Sequence, residues 1–183
     1  MQTVGVSWLV YRLTNSEFSL GLFGFLTELA SVAVVLFAGV LADRSAPQRT
    51  LLAAQTLAML QAFALSLLVF TGHIDVAAVF ALGCFLGMLN GMEAPARQAL
   101  FPVVVADRND LRSAVALYSL SLDAARMAGP ALAGVVIASR GEGWCFLANG
   151  FSYLAVIIAL ISLRAEPRPC PAAGEDLVRS LAT

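Results

Sequence analysis

Five runs of mostly apolar residues dominate the chain, each about as long as a helix must be to cross hydrocarbon, roughly 20 residues. They are Phe18–Ala42, Thr50–Thr71, Val76–Met92, Ala114–Ser139 and Trp144–Leu163. The second and fifth carry no charge, the first has Glu28 as its only ionisable residue, and the fourth contains Asp123 and Arg126. Short polar stretches separate them: Asp43–Arg49, Gly72–Asp75, Glu93–Arg112 and Arg140–Gly143. The apolar stretch Met1–Leu13 comes first. As a helix it reaches only about 20 Å against about 30 Å of hydrocarbon, so it reads as the second half of a span whose first half is missing. From Ala165 the prolines 167, 169 and 171 end the last span, and a polar tail follows. The pattern therefore predicts a membrane bundle over residues 1–164 and the start of a linker over 165–183.

Composition turns that pattern into a membrane assignment. Hydrophobic residues make up 60% of the chain and charged ones 13%, with a mean hydropathy of +0.84. A soluble domain is about 45–50% apolar and about 25% charged, and a small fold has too little interior to hide this excess. The net charge of −1 gives no footing for nucleic acid. Cys84, Cys145 and Cys170 lack metal-ligand spacing, so neither a metal nor a cofactor is expected. No phosphate-binding loop or paired catalytic motif argues for an enzyme.

Every basic residue is arginine, and the arginines are unevenly placed. Arg44, Arg49, Arg97, Arg108, Arg112, Arg164, Arg168 and Arg179 fall on one side of the spans, whereas Arg12 and Arg140 fall on the other. Arginine-rich connections stay inside, so the tail and the loops after the second and fourth spans, counting the N-terminal stub as the first, are expected in the cytoplasm.

Three groups of residues are candidates for chemistry. Glu28, Asp123 and Arg126 lie near the middle of their spans, where an ionisable group costs at least about 2.5–3.5 kcal/mol and so signals a role. A carboxylate there can bind and release a proton; an arginine stays charged and can only attract an anion or hold a carboxylate. The opposing reading is structural: Asp123 and Arg126 neutralise each other, and Glu28 is hydrogen-bonded between helices. Pro130 removes the hydrogen bond that the Arg126 carbonyl would accept. The second group is Gly39, Asp43, Arg44 and Arg49 at the end of the second span, with Glu93 and Arg97 at the end of the fourth. Glu93 is expected to pair with Arg44 or Arg49. The third is a set of small residues at four-residue spacing, Gly83, Gly87 and Gly91 in one span and Ala125, Gly129 and Ala133 in the next, which lets backbones approach closely in lipid.

These residues also resemble a known family. Gly39-Val-Leu-Ala-Asp43-Arg44 is similar to the signature of the major facilitator superfamily between its second and third helices. Glu93-Ala-Pro-Ala-Arg97-Gln98 with Phe101-Pro102 resembles a stretch of its drug and siderophore exporter branch, with glutamate where aspartate is usual. Ala125-Arg126-Met-Ala-Gly129-Pro130-Ala-Leu-Ala-Gly134 resembles the branch's fifth-helix motif, with alanine at two of its glycines. The resemblance implies an all-α six-helix bundle of two three-helix inverted repeats, forming the N-terminal half of a transporter about twice as long. It also implies proton-coupled export of a hydrophobic or siderophore-like compound across the bacterial inner membrane, with the lipid bilayer, a small-molecule substrate and a missing C-terminal half as partners. The competing expectation is a truncated, non-transporting fragment or a membrane subunit that needs its partner half.

Overall fold

The computed structural model describes residues 2–42, 47–104 and 108–162, all arranged as helices and short connections. The helices are α1 (Gln2–Thr14), α2 (Glu17–Ala42), α3 (Pro47–Phe70), α4 (Val76–Val104), α5 (Arg108–Arg140) and α6 (Glu142–Ser162). All except α1 include an apolar window long enough to cross a membrane. The asparagine, serine and glycine chemistry of the connections shows where each helix stops. Asn15 takes the left-handed conformation after α1, with φ at 48°, and the Ser16 hydroxyl accepts from the Ser19 N–H to cap α2. Asp75 caps α4 through the Val76 N–H at 2.8 Å. A single residue, Gly141, joins α5 to α6, and its φ of 88° is one that a side chain would strain.

α4 runs further than the sequence pattern assigns to hydrocarbon. The fourth apolar run ends at Met92, yet α4 continues through Pro95 and Arg97 to Val104. At 1.5 Å per residue a helix of 29 residues is about 43 Å long, so it outreaches the hydrocarbon. Hydropathy marks only the part that lipid touches. An ion pair between Glu93 and Arg97, one turn apart, supports the protruding segment.

The helices pack as two interleaved triplets. α2 lies along α4, and its counterpart three helices on, α5, lies against α1. α3 packs on α4, and α6 packs on α1. α1 meets α2 as α4 meets α5, and α3 pairs with α6. Exchanging α1–α3 with α4–α6 thus preserves nearly every packing relationship. That exchange is the packing of two three-helix repeats.

Close approach depends on glycine facing aromatic rings or backbone. A Cβ added at Gly150 would sit 2.7 Å from the Phe63 ring, and one at Gly143 would sit 2.9 Å from Phe70. One core gathers Val6, Leu9, Val10, Phe23, Leu65, Val79 and Phe146; a smaller one joins Leu51, Ala96 and Leu160. No described side chain of α5 belongs to either. Outward, large apolar side chains such as Phe18, Leu36 and Met127 are exposed, as lipid contact requires.

One buried polar chain ties four helices together. Asn149 donates to the Gln2 side-chain oxygen at 2.7 Å, Gln2 donates to Gln61, and Gln61 donates to the Leu82 carbonyl at 3.1 Å. The Tyr153 hydroxyl also approaches Gln2, at 3.4 Å. Cutting this chain at Gln61 leaves the Gln2 amide without its acceptor. Gln61→Leu is therefore expected to cost about 1–2 kcal/mol, read as a lower midpoint in mixed-micelle SDS unfolding. An unchanged midpoint would show that the chain carries no stability.

Candidate functional site

Glu28, Asp123 and Arg126 lie on faces that no described helix covers. Glu28 falls near the middle of α2, and Asp123 and Arg126 straddle the middle of α5. Glu28 is exposed, with no hydrogen bond or ion pair shown for it among the described residues. An Arg126 Nη lies 3.7 Å from an Asp123 carboxylate oxygen, with the side chains 71% and 68% exposed. That distance is long for a hydrogen bond, so the pair attracts without locking. No described contact joins Glu28 to either residue. Bare carboxylates and guanidinium groups do not persist against hydrocarbon, so these faces belong to water or to further protein.

The rest of α5 explains why its centre is open. Gly129 is half-buried and Ala133 buried, whereas Ala125, on the same helical stripe, is exposed. The stripe therefore seats α5 at Gly129 and Ala133 and leaves the bundle beside Ala125. Pro130 is exposed inside the continuous helix, and Gly134 has nothing within 4 Å of the position a Cβ would take.

At the arginine-rich end, Gly39 lies within α2 and Arg49 is exposed on α3, while Asp43 and Arg44 lie outside the described residues. Glu93 and Arg97 form an ion pair within α4. The pairing of Glu93 with Arg44 expected from the sequence lies outside the described residues, and no ion pair between Glu93 and Arg49 is shown among them. Arg97 also donates to the Tyr118 hydroxyl at 2.5 Å, and its guanidinium carbon lies 5.8 Å from the centre of that ring. Tyr118 is thus the α5 partner of this cluster. Nothing in the local pattern points to it, because the contact joins residues 21 apart on two helices.

A second ionic contact, also absent from the sequence reading, sits at the arginine-poor end. Arg12, at the end of α1, donates to Glu142 at 3.1 Å, at the start of α6. Beside it an open groove of about 500 Å³ runs between α1 and α5. His73 is exposed, with its Nδ1 2.9 Å from the Thr71 carbonyl.

Comparison with known proteins agrees with this architecture. Residues 1–183 match the family described as transmembrane secretion effector. The staphyloferrin A transporter of Staphylococcus aureus is 25% identical over 169 residues, covering 92% of this chain and 42% of that protein. The enterobactin exporter EntS of Citrobacter koseri is 28% identical over 178 residues, and that of Shigella boydii is 27% identical; each alignment covers 97% of this chain and 42% of the relative. No solved structure matches. The chain thus spans about two-fifths of the length of these curated relatives, aligned with their N-terminal half. Five apolar helices, a three-plus-three packing arrangement and a match along the whole sequence place this multi-pass membrane chain in the transmembrane secretion effector family of the major facilitator superfamily.

Proposed function

We propose that this chain supplies the N-terminal six-helix half of a proton-coupled exporter of small, siderophore-like compounds in the bacterial inner membrane, with its arginine-rich end and tail in the cytoplasm. The observation that carries the reading is the group of charged residues at mid-helix on uncovered faces, Glu28 on α2 and Asp123 with Arg126 on α5. A second half packed over these faces would enclose them around a polar cavity. Glu28 or Asp123 would then exchange a proton as the cavity turns from one side to the other, and Arg126 would bias that exchange by its fixed charge. Gly129, Pro130 and Gly134 would allow α5 to bend and slide against its neighbours. Gly39, Asp43, Arg44, Arg49, Glu93 and Arg97 would form the cytoplasmic gate, held by charge pairing in one conformation and released in the other.

The length of the relatives, of which this chain spans 42%, favours a second reading, a membrane subunit that works only with a partner half. Proteoliposomes bearing a proton gradient test the exporter reading. The 183 residues alone are expected to give no efflux, and a complete protein carrying this half is expected to export. In the complete protein, Arg126→Ala should lose nearly all transport and Arg126→Lys should keep part of it, at equal membrane abundance. Normal transport by Arg126→Ala would remove α5 from the mechanism.

A further inference from the structure

We propose that the groove between α1 and α5 at the arginine-poor end binds an amphipathic organic anion, with Arg12 taking the acidic group and Trp8 the apolar body. The proposal rests on the exporter reading and makes this groove a holding site on the exit side.

Val4, Trp8 and Arg12 follow one another at four-residue spacing, so they form one stripe along α1, about 12 Å from end to end. Gly134 and Ile137 of α5 face them across the groove. Its volume, about 500 Å³, lies within the roughly 300–1,000 Å³ typical of small-molecule sites. The walls are apolar, and the charge is confined to one end.

That charge is held in place. The Glu142 side chain is only 6% exposed, while Arg12 is 49% exposed. A carboxylate buried this deeply needs a cation, so Glu142 fixes the guanidinium at the groove mouth. It takes one N–H of Arg12, at 3.1 Å. A guanidinium has five N–H donors in a planar fork, so a second carboxylate or a catecholate can share it. A cationic guest would meet Arg12 at the mouth, and a neutral one would gain only the walls. Trp8, half exposed, offers a flat face to an aromatic or alkyl body.

Gly134 is the opening through which the site can be blocked. A Cβ added there meets nothing within 4 Å, so a side chain at this position can start into the groove without a clash.

The chain has two tryptophans, so Trp144→Phe leaves Trp8 as the only one. The test places that protein in phosphatidylcholine nanodiscs and titrates it with 11-bromoundecanoate or 11-bromoundecanol, whose bromine quenches tryptophan on contact. Quenching by the anion is expected to saturate at a concentration at least about tenfold below that of the alcohol. Arg12→Gln combined with Glu142→Gln, which leaves no charge buried and unpaired, should abolish that preference. Gly134→Leu should weaken anion quenching about tenfold with an unchanged thermal melt. Equal, unsaturable quenching by both probes in every variant reports bilayer partitioning alone and overturns the proposal. So does quenching by brominated phosphatidylglycerol that undecanoate does not displace, because the groove is then a lipid site. Export by the complete protein without groove binding rejects this site and keeps the exporter reading. Groove binding without export rejects the exporter reading.

Discussion

Gly87→Ala and Gly91→Ala are each expected to prevent accumulation of folded protein. Their added Cβ atoms would lie 2.3 Å from the Thr27 carbonyl oxygen and 2.4 Å from that of Ser31. Both obstacles are backbone atoms inside α2, so no rotamer change relieves them, and the helices must move apart. α2 on α4 is the most extensive seam in the bundle. In lipid, the seam is held by packing alone, because tails solvate a separated helix as readily as its partner does. Overpacking typically costs about 1–3 kcal/mol even where side chains can yield; here they cannot. Gly83→Ala should behave differently. Its Cβ would meet the Phe23 ring at 2.2 Å, and a ring can be trimmed, so Phe23→Leu should recover much of the loss. Gly21 and Gly24, also on α2, have nothing within 4 Å, and alanine there should be neutral or slightly stabilising through helix propensity. Fluorescence-detected size exclusion and thermal melts of the five glycine variants and of Gly83→Ala combined with Phe23→Leu test the set. A Gly87→Ala protein that elutes and melts like its parent would show that the seam is looser than the structure has it.

The four-residue glycine spacing in α4 announced a close helix contact but not its partner. Spacing records which face is small; it says nothing of what arrives there. The same limit separates what was legible elsewhere from what was not. The mid-helix positions of Glu28, Asp123 and Arg126 follow from counting residues along an apolar run, and Glu93 and Arg97 stand one turn apart on one helix. Their cross-helix partners carry no comparable signal. Gln2 and Asn149 lie 147 residues apart, and Arg12 and Glu142 lie 130 apart, so each pair reads locally as two unrelated polar residues. Helix ends were legible where polar chemistry coincides with the edge of the hydrocarbon. They were not where a helix continues past its apolar run, as α4 does beyond Met92. The small stripe of α5 was legible as a packing face along its whole length, yet only Gly129 and Ala133 pack. Ala125 is exposed because the bundle falls away from α5 there, a tertiary fact that periodicity does not contain.

That gap gives Arg97 a further consequence. Among the described side chains of α5 between Val115 and Arg140, Ala133 is the buried one. At the arginine-rich end, Tyr118 is half-buried under Arg97. α5 is thus seated near Ala133 and tied near Tyr118, with Asp123 and Arg126 on the span between. Arg97→Ala removes the donor to the hydroxyl and the cation over the ring together, and it leaves Glu93, whose side chain is 15% exposed, without its ion-pair partner. The segment from Val115 to Ala128 should then exchange its amide protons at least about tenfold faster, because local opening no longer has to break the tie. The segment around Ala133 should exchange as before. Tyr118→Phe keeps the ring and loses the hydroxyl, so it should fall between Arg97→Ala and the parent. Arg97→Lys keeps the charge for Glu93 but loses the planar fork, and it should loosen α5 less than alanine does. Faster exchange throughout the chain would mean that Arg97 supports the whole bundle. Unchanged exchange over Val115–Ala128 would mean that α5 is held by contacts other than this tie.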